Sequence, residues 1–285
     1  MLMPGAAIAL VFTYLPMYGL VIAFKEYVSW KGIWGSPWVG LDQFRLMLTY
    51  PGSMQVIENT VVISLFKIVF GIAVPLAFAL LLNEVRQIWL KKTVQTLVYL
   101  PYFLSWIILS GILLDLLSSG GLVNQFLNAV FGIQPVPFLS DGNWFRFTLV
   151  TSHIWKEFGI SSIIFLAALT GIDPSLYESA EIDGAGRWKQ TLHITLPGVL
   201  PVTVVVLILS LGYIFEGGFD QVFNMYNPLV YDKGDIIDTF VYRMAFENGN
   251  FSFATAVGLS KSLVELAIVG IAYIFAHRVG NYRIF

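Results

Sequence analysis

The 285-residue chain contains no cysteine, which excludes disulfides, thiolate metal sites and cysteine nucleophiles. Histidine is nearly as scarce: His153, His193 and His277 lie far apart without ligand spacing, so no metal site is expected. Charged residues make up only 12% of the chain, against about 25% in a soluble domain. The net charge of -2 gives no footing for nucleic acid. Also missing is any Gly-x-x-x-x-Gly-Lys-Ser/Thr, the loop whose backbone amides cradle phosphates. The nearest fragment, Gly258-Leu-Ser-Lys-Ser262, has the wrong spacing and lies in an apolar run. The chain is therefore expected to bind neither ATP nor another cofactor. With no Ser/His/Asp or metal-ligand set on neighbouring helices, an intramembrane enzyme is disfavoured. No internal repeat or low-complexity segment is evident.

What the chain has instead is apolar length. Hydrophobic residues are 57% of the total and mean hydropathy is +0.75. A membrane span needs roughly 20 mostly apolar residues, and six runs qualify: Leu2 to Phe24, Ile57 to Leu82, Val94 to Leu117, Trp144 to Leu169, Val199 to Phe215 and Ala254 to Ala276. The fifth is short. The expected fold class is all-α, a polytopic membrane bundle of six transmembrane helices. Trp30, Trp34, Trp38, Trp89 and Trp144 stand near the predicted boundaries, where aromatic rings prefer the interface. Met1 to Phe24 lacks a positive n-region and a small-residue cleavage site, so it reads as a retained span with bends expected at Pro4 and Pro16.

Basic residues set the expected orientation. The segments 83–93, 171–196 and 277–285 hold Arg86, Lys91, Lys92, Arg187, Lys189, Arg278 and Arg283, whereas the longer intervening segments hold only Lys25, Lys31, Arg45, Lys233 and Arg243. Both termini and the 171–196 segment are therefore expected in the cytoplasm. The division is a first span over 1–24, a periplasmic loop over 25–56, a core over 57–276 with five spans and a loop at 173–197, and a cytoplasmic tail over 277–285.

That loop is a polar island between apolar runs. Asp173-Pro174 is a helix start, since Asp caps free amides and Pro fits the first helical position. Leu176, Tyr177 and Ala180 then give a short helix an apolar side, with Glu178, Glu181 and Asp183 on the other. Gly184 and Gly186 should end it. A second short helix from Arg187 to about Ile194 should stop at Pro197, which starts the next span. The result is a helix-turn-helix peg. Glu178, Ser179, Ala180, Gly184, Ile194, Leu196 and Pro197 fall at fixed spacing. The pattern resembles the EAA loop of permease subunits of binding-protein-dependent ABC importers: Glu-Ala-Ala, three residues, Gly, nine residues, Ile-x-Leu-Pro. Ser179 for the first alanine is the one departure.

Other segments extend the resemblance over nearly the whole chain. Gly35-Ser-Pro-Trp-Val-Gly-Leu-Asp-Gln-Phe44, Trp155-Lys-Glu-Phe-Gly159 and Phe219-Asp-Gln-Val-Phe-Asn-Met-Tyr-Asn-Pro228 resemble sugar-importer permeases, notably the group importing oligosaccharides and polysaccharide fragments such as alginate or aldouronate. The resemblance implies that the peg docks into a separate ATPase subunit, which uses ATP and Mg. It also implies a second homologous permease subunit, a periplasmic or lipid-anchored sugar-binding protein, and alternating access in the bacterial inner membrane. The aromatic and acidic stretch from Phe219 to Asn250 suits a docking surface for the binding protein, the mouth of a pore, or a cap on the bundle.

Ionisable residues inside spans are costly and mark a path or a pair. Lys67 lies mid-span, Lys156 adjoins Glu157, and Lys261 precedes Glu265 by four residues. They either line a substrate path able to attract uronate carboxylates, or pair internally, Lys261 with Glu265, with Lys156 snorkelling. A rival function is a stand-alone secondary transporter coupling ions through these charges, against which stand the absent repeat symmetry and the loop pattern.

Overall fold

The computed structural model describes residues 2–280, with side chains for residues 3–274; residues 281–285, Arg283 among them, and the side chains of His277 and Arg278 lie outside the described residues. Regular structure among the described residues is helical, apart from one isolated antiparallel bridge between Lys25 and Trp38.

The centre of the bundle is a pair of long helices, Ser53–Asn83 and Gly142–Thr170, packed along their lengths. On the second, Phe145, Leu149, Ser152, Lys156, Gly159, Ser162, Phe165 and Leu169 are buried. Their three- and four-residue steps put them on one face. With lipid outside, close packing of small and polar groups drives this association rather than escape from water. The Ile88–Tyr99 helix crosses so near Gly159 that a Cβ there would collide with the Val98 carbonyl. Three buried clusters follow one another through the bundle. Val56, Phe240, Met244 and Phe253 fill one end, Ile63, Phe145, Leu149 and Ile236 the middle, and Ala79, Phe165, Leu169 and Val199 the end that carries the 171–196 loop.

Among the described residues, five helices are long and apolar enough to cross a membrane: Met3–Phe24, Ser53–Asn83, Trp106–Phe131, Arg187–Leu211 and Phe251–Ile274. Gly142–Thr170 counts as a sixth when joined to Pro174–Ile182, from which it is bent by 67°. Its polar residues, Arg146, His153, Lys156 and Glu157, lower its hydropathy. Near Pro16 the first span changes from an α-helix through a π turn at Leu10–Tyr14 to a 3-10 helix at Leu15–Phe24. This last part lies against the Phe251–Gly280 helix.

Two spans differ from the sequence expectation. The run Val94 to Leu117 is not one helix: it breaks across a 3-10 turn at Leu100–Phe103 and restarts at Trp106, capped by Ser105. Pro101 lacks the amide that would continue the first helix. The apolar crossing is instead Trp106–Phe131, itself broken between Leu117 and Leu122. Nor does Pro197 separate two helices. The chain runs helically from Arg187 to Leu211, and a π turn at Thr191–Thr195 shifts the hydrogen-bond register just before the proline.

Candidate functional site

The 171–196 loop is built by local chemistry. Asp173 Oδ1 accepts from the Ser175 amide at 2.9 Å, and these bonds from Ser175, backbone first and hydroxyl second, hold its carboxyl below the usual range. Pro174–Ile182 follows and closes in a Schellman motif, with Ala185 N–H on Ala180 O at 2.8 Å and Gly184 N–H on Glu181 O at 3.0 Å. Gly184 sits at φ +74 with open space around it, so backbone conformation alone calls for glycine there. The Tyr177 hydroxyl bonds Thr195 Oγ1 at 3.0 Å, tying the peg to the following helix.

The predicted loop residues come together in this peg. Glu178, Ser179, Gly184 and Pro197 are exposed, while Ala180, Ile194 and Leu196 are half-buried. Among the described residues Glu178 makes no side-chain hydrogen bond or ion pair. The sequence puts Leu176 on the apolar side of the first short helix, and the structure leaves it 51% exposed; sequence reasoning missed Ile182 and Trp188, which are 87% and 78% exposed. Arg187 reaches Glu84 at 3.4 Å, but both are exposed, so the pair adds little.

The four charged residues expected along a path do not form one group. Lys67 lines a cavity of about 560 Å³ together with His153, Glu157, Tyr213 and Glu216. Its ammonium donates to Gly217 O at 2.7 Å and to Gln221 Oε1 at 2.6 Å. Lys156 does not snorkel: it is buried, donates to Tyr102 O at 2.9 Å, pairs with Glu157 at 3.3 Å and lies over the Tyr102 ring. It thereby staples the break after Tyr99. Lys261 does not pair with Glu265. Its partner is Asp238 at 2.6 Å, and Glu265 Oε1 is buried without a hydrogen bond. Burial pushes the Asp238 carboxyl up, only partly offset by the bond and charge of Lys261.

The stretch from Phe219 to Asn250 is more than a surface loop. Phe219–Met225 packs on Trp106–Leu117, and Gln221 is buried between Lys67 and the Gly142–Thr170 helix, donating to Leu149 O and Ser152 Oγ at 2.8 Å. Farther along, Arg243 grips Asp235 through both oxygens, and Asn59 donates to the Asp232 and Asp235 carbonyls at 3.1 Å. A larger cavity of about 690 Å³, walled by Phe66, Phe70, Phe147 and Phe158, is almost wholly apolar. It has the surface chemistry of a lipid- or protein-facing groove.

Comparison with known proteins places this architecture. The family model described as "Binding-protein-dependent transport system inner membrane component" matches residues 67–281. The Bacillus subtilis (strain 168) polygalacturonan/rhamnogalacturonan transport system permease protein YteP is 43% identical over 286 residues, covering 100% of this chain and 89% of that protein. Protein LplB of the same organism is 42% identical over 270 residues, 94% of this chain and 85% of LplB. Among solved structures, one of a bacterial ABC transporter involved in import of the acidic polysaccharide alginate matches with TM-score 0.90 and 38% identity, covering 98% of this chain and 94% of that one. The chain belongs to the binding-protein-dependent transport system inner membrane components and is a permease subunit of an ABC importer of sugars or polysaccharides, not itself an ATPase.

Proposed function

We propose that the chain forms one half of a pore for acidic oligosaccharides, with the 173–197 loop docking into an ATPase subunit on the cytoplasmic side. The observation that carries this reading is the peg itself. Its pattern residues fold into a capped helix-turn-helix that leaves Leu176, Ile182 and Trp188 uncovered, a surface suited to burial against a partner. Both termini lie in the cytoplasm on this reading, which rests on the distribution of basic residues. The segments divide as first span 1–24, external loop 25–56, core 57–276 and tail 277–285.

The second permease subunit and the sugar-binding protein complete the assembly, and ATP with Mg is consumed by the ATPase. A related solved structure holds an alginate transporter in complex with an alginate pentasaccharide-bound periplasmic protein, which supports delivery of the sugar by such a protein. The acidic character of the cargo is supported by that relative and by the polygalacturonan permease. The cavity itself carries Glu157 and Glu216 beside Lys67, so its charge alone does not select an anion. Of Lys67, Lys156 and Lys261, it is Lys67 that lines the cavity and remains a path candidate, whereas Lys156 is held by Tyr102 and Lys261 by Asp238 away from it.

The test is uptake by the reconstituted importer. Oligogalacturonate should enter vesicles only with ATP, the ATPase subunit and the binding protein all present. Glu178→Lys should abolish docking and uptake together. Uptake by this chain without an ATPase, or normal uptake by Glu178→Lys, would sink the reading.

A further inference from the structure

The Leu196–Leu211 helix ends at the cavity that is also lined by Lys67, the fifteenth of the 31 residues of Ser53–Asn83. Residues 212–218 then turn without helix, with Gly217 buried and Tyr213 and Glu216 exposed, an irregularity a membrane tolerates only where protein satisfies the backbone. Ser64 Oγ accepts from Gly217 N–H at 3.2 Å, and Lys67 holds Gly217 O and Gln221 Oε1. Gln221 in turn is fixed to Leu149 and Ser152. Ser64, Lys67, Ser152 and Gln221 are all buried. A buried ammonium is costly without hydrogen-bond partners, and Lys67 finds two of them in Gly217 O and Gln221 Oε1, so it binds the break to both central helices as long as Gly217 stays in reach.

The break also bounds the cavity. Ser64, Lys67, Gly217 and Gly218 wall one side of it, while Ile164, Phe165 and Val206, nearer the 171–196 loop along their helices, wall the other. The cavity therefore extends from the break toward the loop end, with the break as its ceiling. Gly217 at φ +55 and Gly218 at φ +88 occupy left-handed angles that glycine adopts without strain, and a Cβ at Gly218 would lie 2.8 Å from Lys67 Nζ. A side chain there would push the ammonium from its present position.

We propose that Lys67 is a positioning residue, a latch that holds the 212–218 ceiling shut over the cavity and releases it once per transport cycle. The proposal rests on the importer reading above. Alternating access requires sugar to enter from the end away from the loop, past this ceiling. The Lys67 contacts must then part, and their strength biases the importer toward the state with the ceiling shut.

The assembled importer in nanodiscs tests this, comparing wild type with Lys67→Met and Lys67→Arg for uptake and for ATP hydrolysis without binding protein. Losing the latch should favour the lifted state. Hydrolysis without binding protein should rise at least about tenfold, the population shift given by loss of even one of the two charge-assisted contacts, while uptake per ATP falls. Lys67→Arg, which keeps the charge and donors, should move both values back toward wild type. In an importer that assembles, a lysine with only a structural role would lower hydrolysis and uptake together, and that result overturns the latch, as does unchanged hydrolysis. If Lys67→Met does not assemble, Gln221→Leu removes one acceptor and carries the same expectation and the same veto. Absence of binding-protein-dependent hydrolysis in the wild type would overturn the importer reading and the latch with it.

Discussion

Lys261 illustrates how a charge inside a span acquires its partner from the fold. Four residues separate it from Glu265, a spacing that stacks side chains on one helix face, yet it turns to Asp238 of the Ile237–Tyr242 helix at 2.6 Å. Both members are largely withdrawn from solvent, with side chains 13% and 25% exposed, so removing one strands the other. Lys261→Gln should therefore lower stability by about 1–3 kcal/mol. Asp238→Asn in the same chain should restore much of that loss, and Glu265→Gln should not. Thermal unfolding in detergent measures all three, and rescue by Glu265→Gln would reject the assignment. Gly184 poses a purely conformational case. Valine at φ +74 is expected to cost roughly 1–2 kcal/mol locally. Because no neighbour is displaced, the bundle should unfold as in wild type while ATPase docking weakens; unaltered docking would show that the turn is not required.

At the scale of helices, what could be read from the sequence was local. The start at Asp173-Pro174 and the end at Gly184 follow from side-chain caps and backbone angles, and both lie where those signals put them. Length and apolarity likewise mark the first, second and sixth spans. What failed needed knowledge of neighbours. Hydropathy cannot see that Lys156 reaches back to Tyr102 and holds a break open inside an apolar run. Pro197 looked like a stop because it lacks an amide, but a π turn absorbs that loss with one changed register. The sequence marks Leu176 as part of an apolar side, but that it stays uncovered together with Ile182 and Trp188 is a property of the fold. The tight crossing at Gly159 gives the helical prediction. Gly159→Leu would force the Val98 carbonyl and the Ile88–Tyr99 helix away, and overpacking of this kind is expected to cost about 1–3 kcal/mol. Reduced thermal stability, with protease cutting near Tyr99 before the rest of the chain, is the expected result. A wild-type melting curve would mean that this helix is not held by the contact.

For the whole molecule the decisive quantity is which end faces which compartment, because ATP is available on one side only. The Gly142–Thr170 helix is 29 residues long, so its ends are about 40 Å apart at 1.5 Å per residue, more than the hydrocarbon core is thick. Ser140 lies just before its start and is exposed; Lys189 lies beyond its far end, in the loop, and is also exposed. The two positions therefore fall on opposite sides of any membrane this helix crosses. With no native cysteine in the chain, a single introduced thiol reports alone. Ser140→Cys should react in intact cells with a membrane-impermeant maleimide, and Lys189→Cys only after the membrane is opened. Docking of the ATPase should then shield Lys189→Cys and leave Ser140→Cys unaffected, since only the peg enters the partner. Labelling of Lys189→Cys in intact cells would place the peg where no ATPase can reach it, and the coupling role of Glu178, Gly184 and their neighbours would fall with the topology.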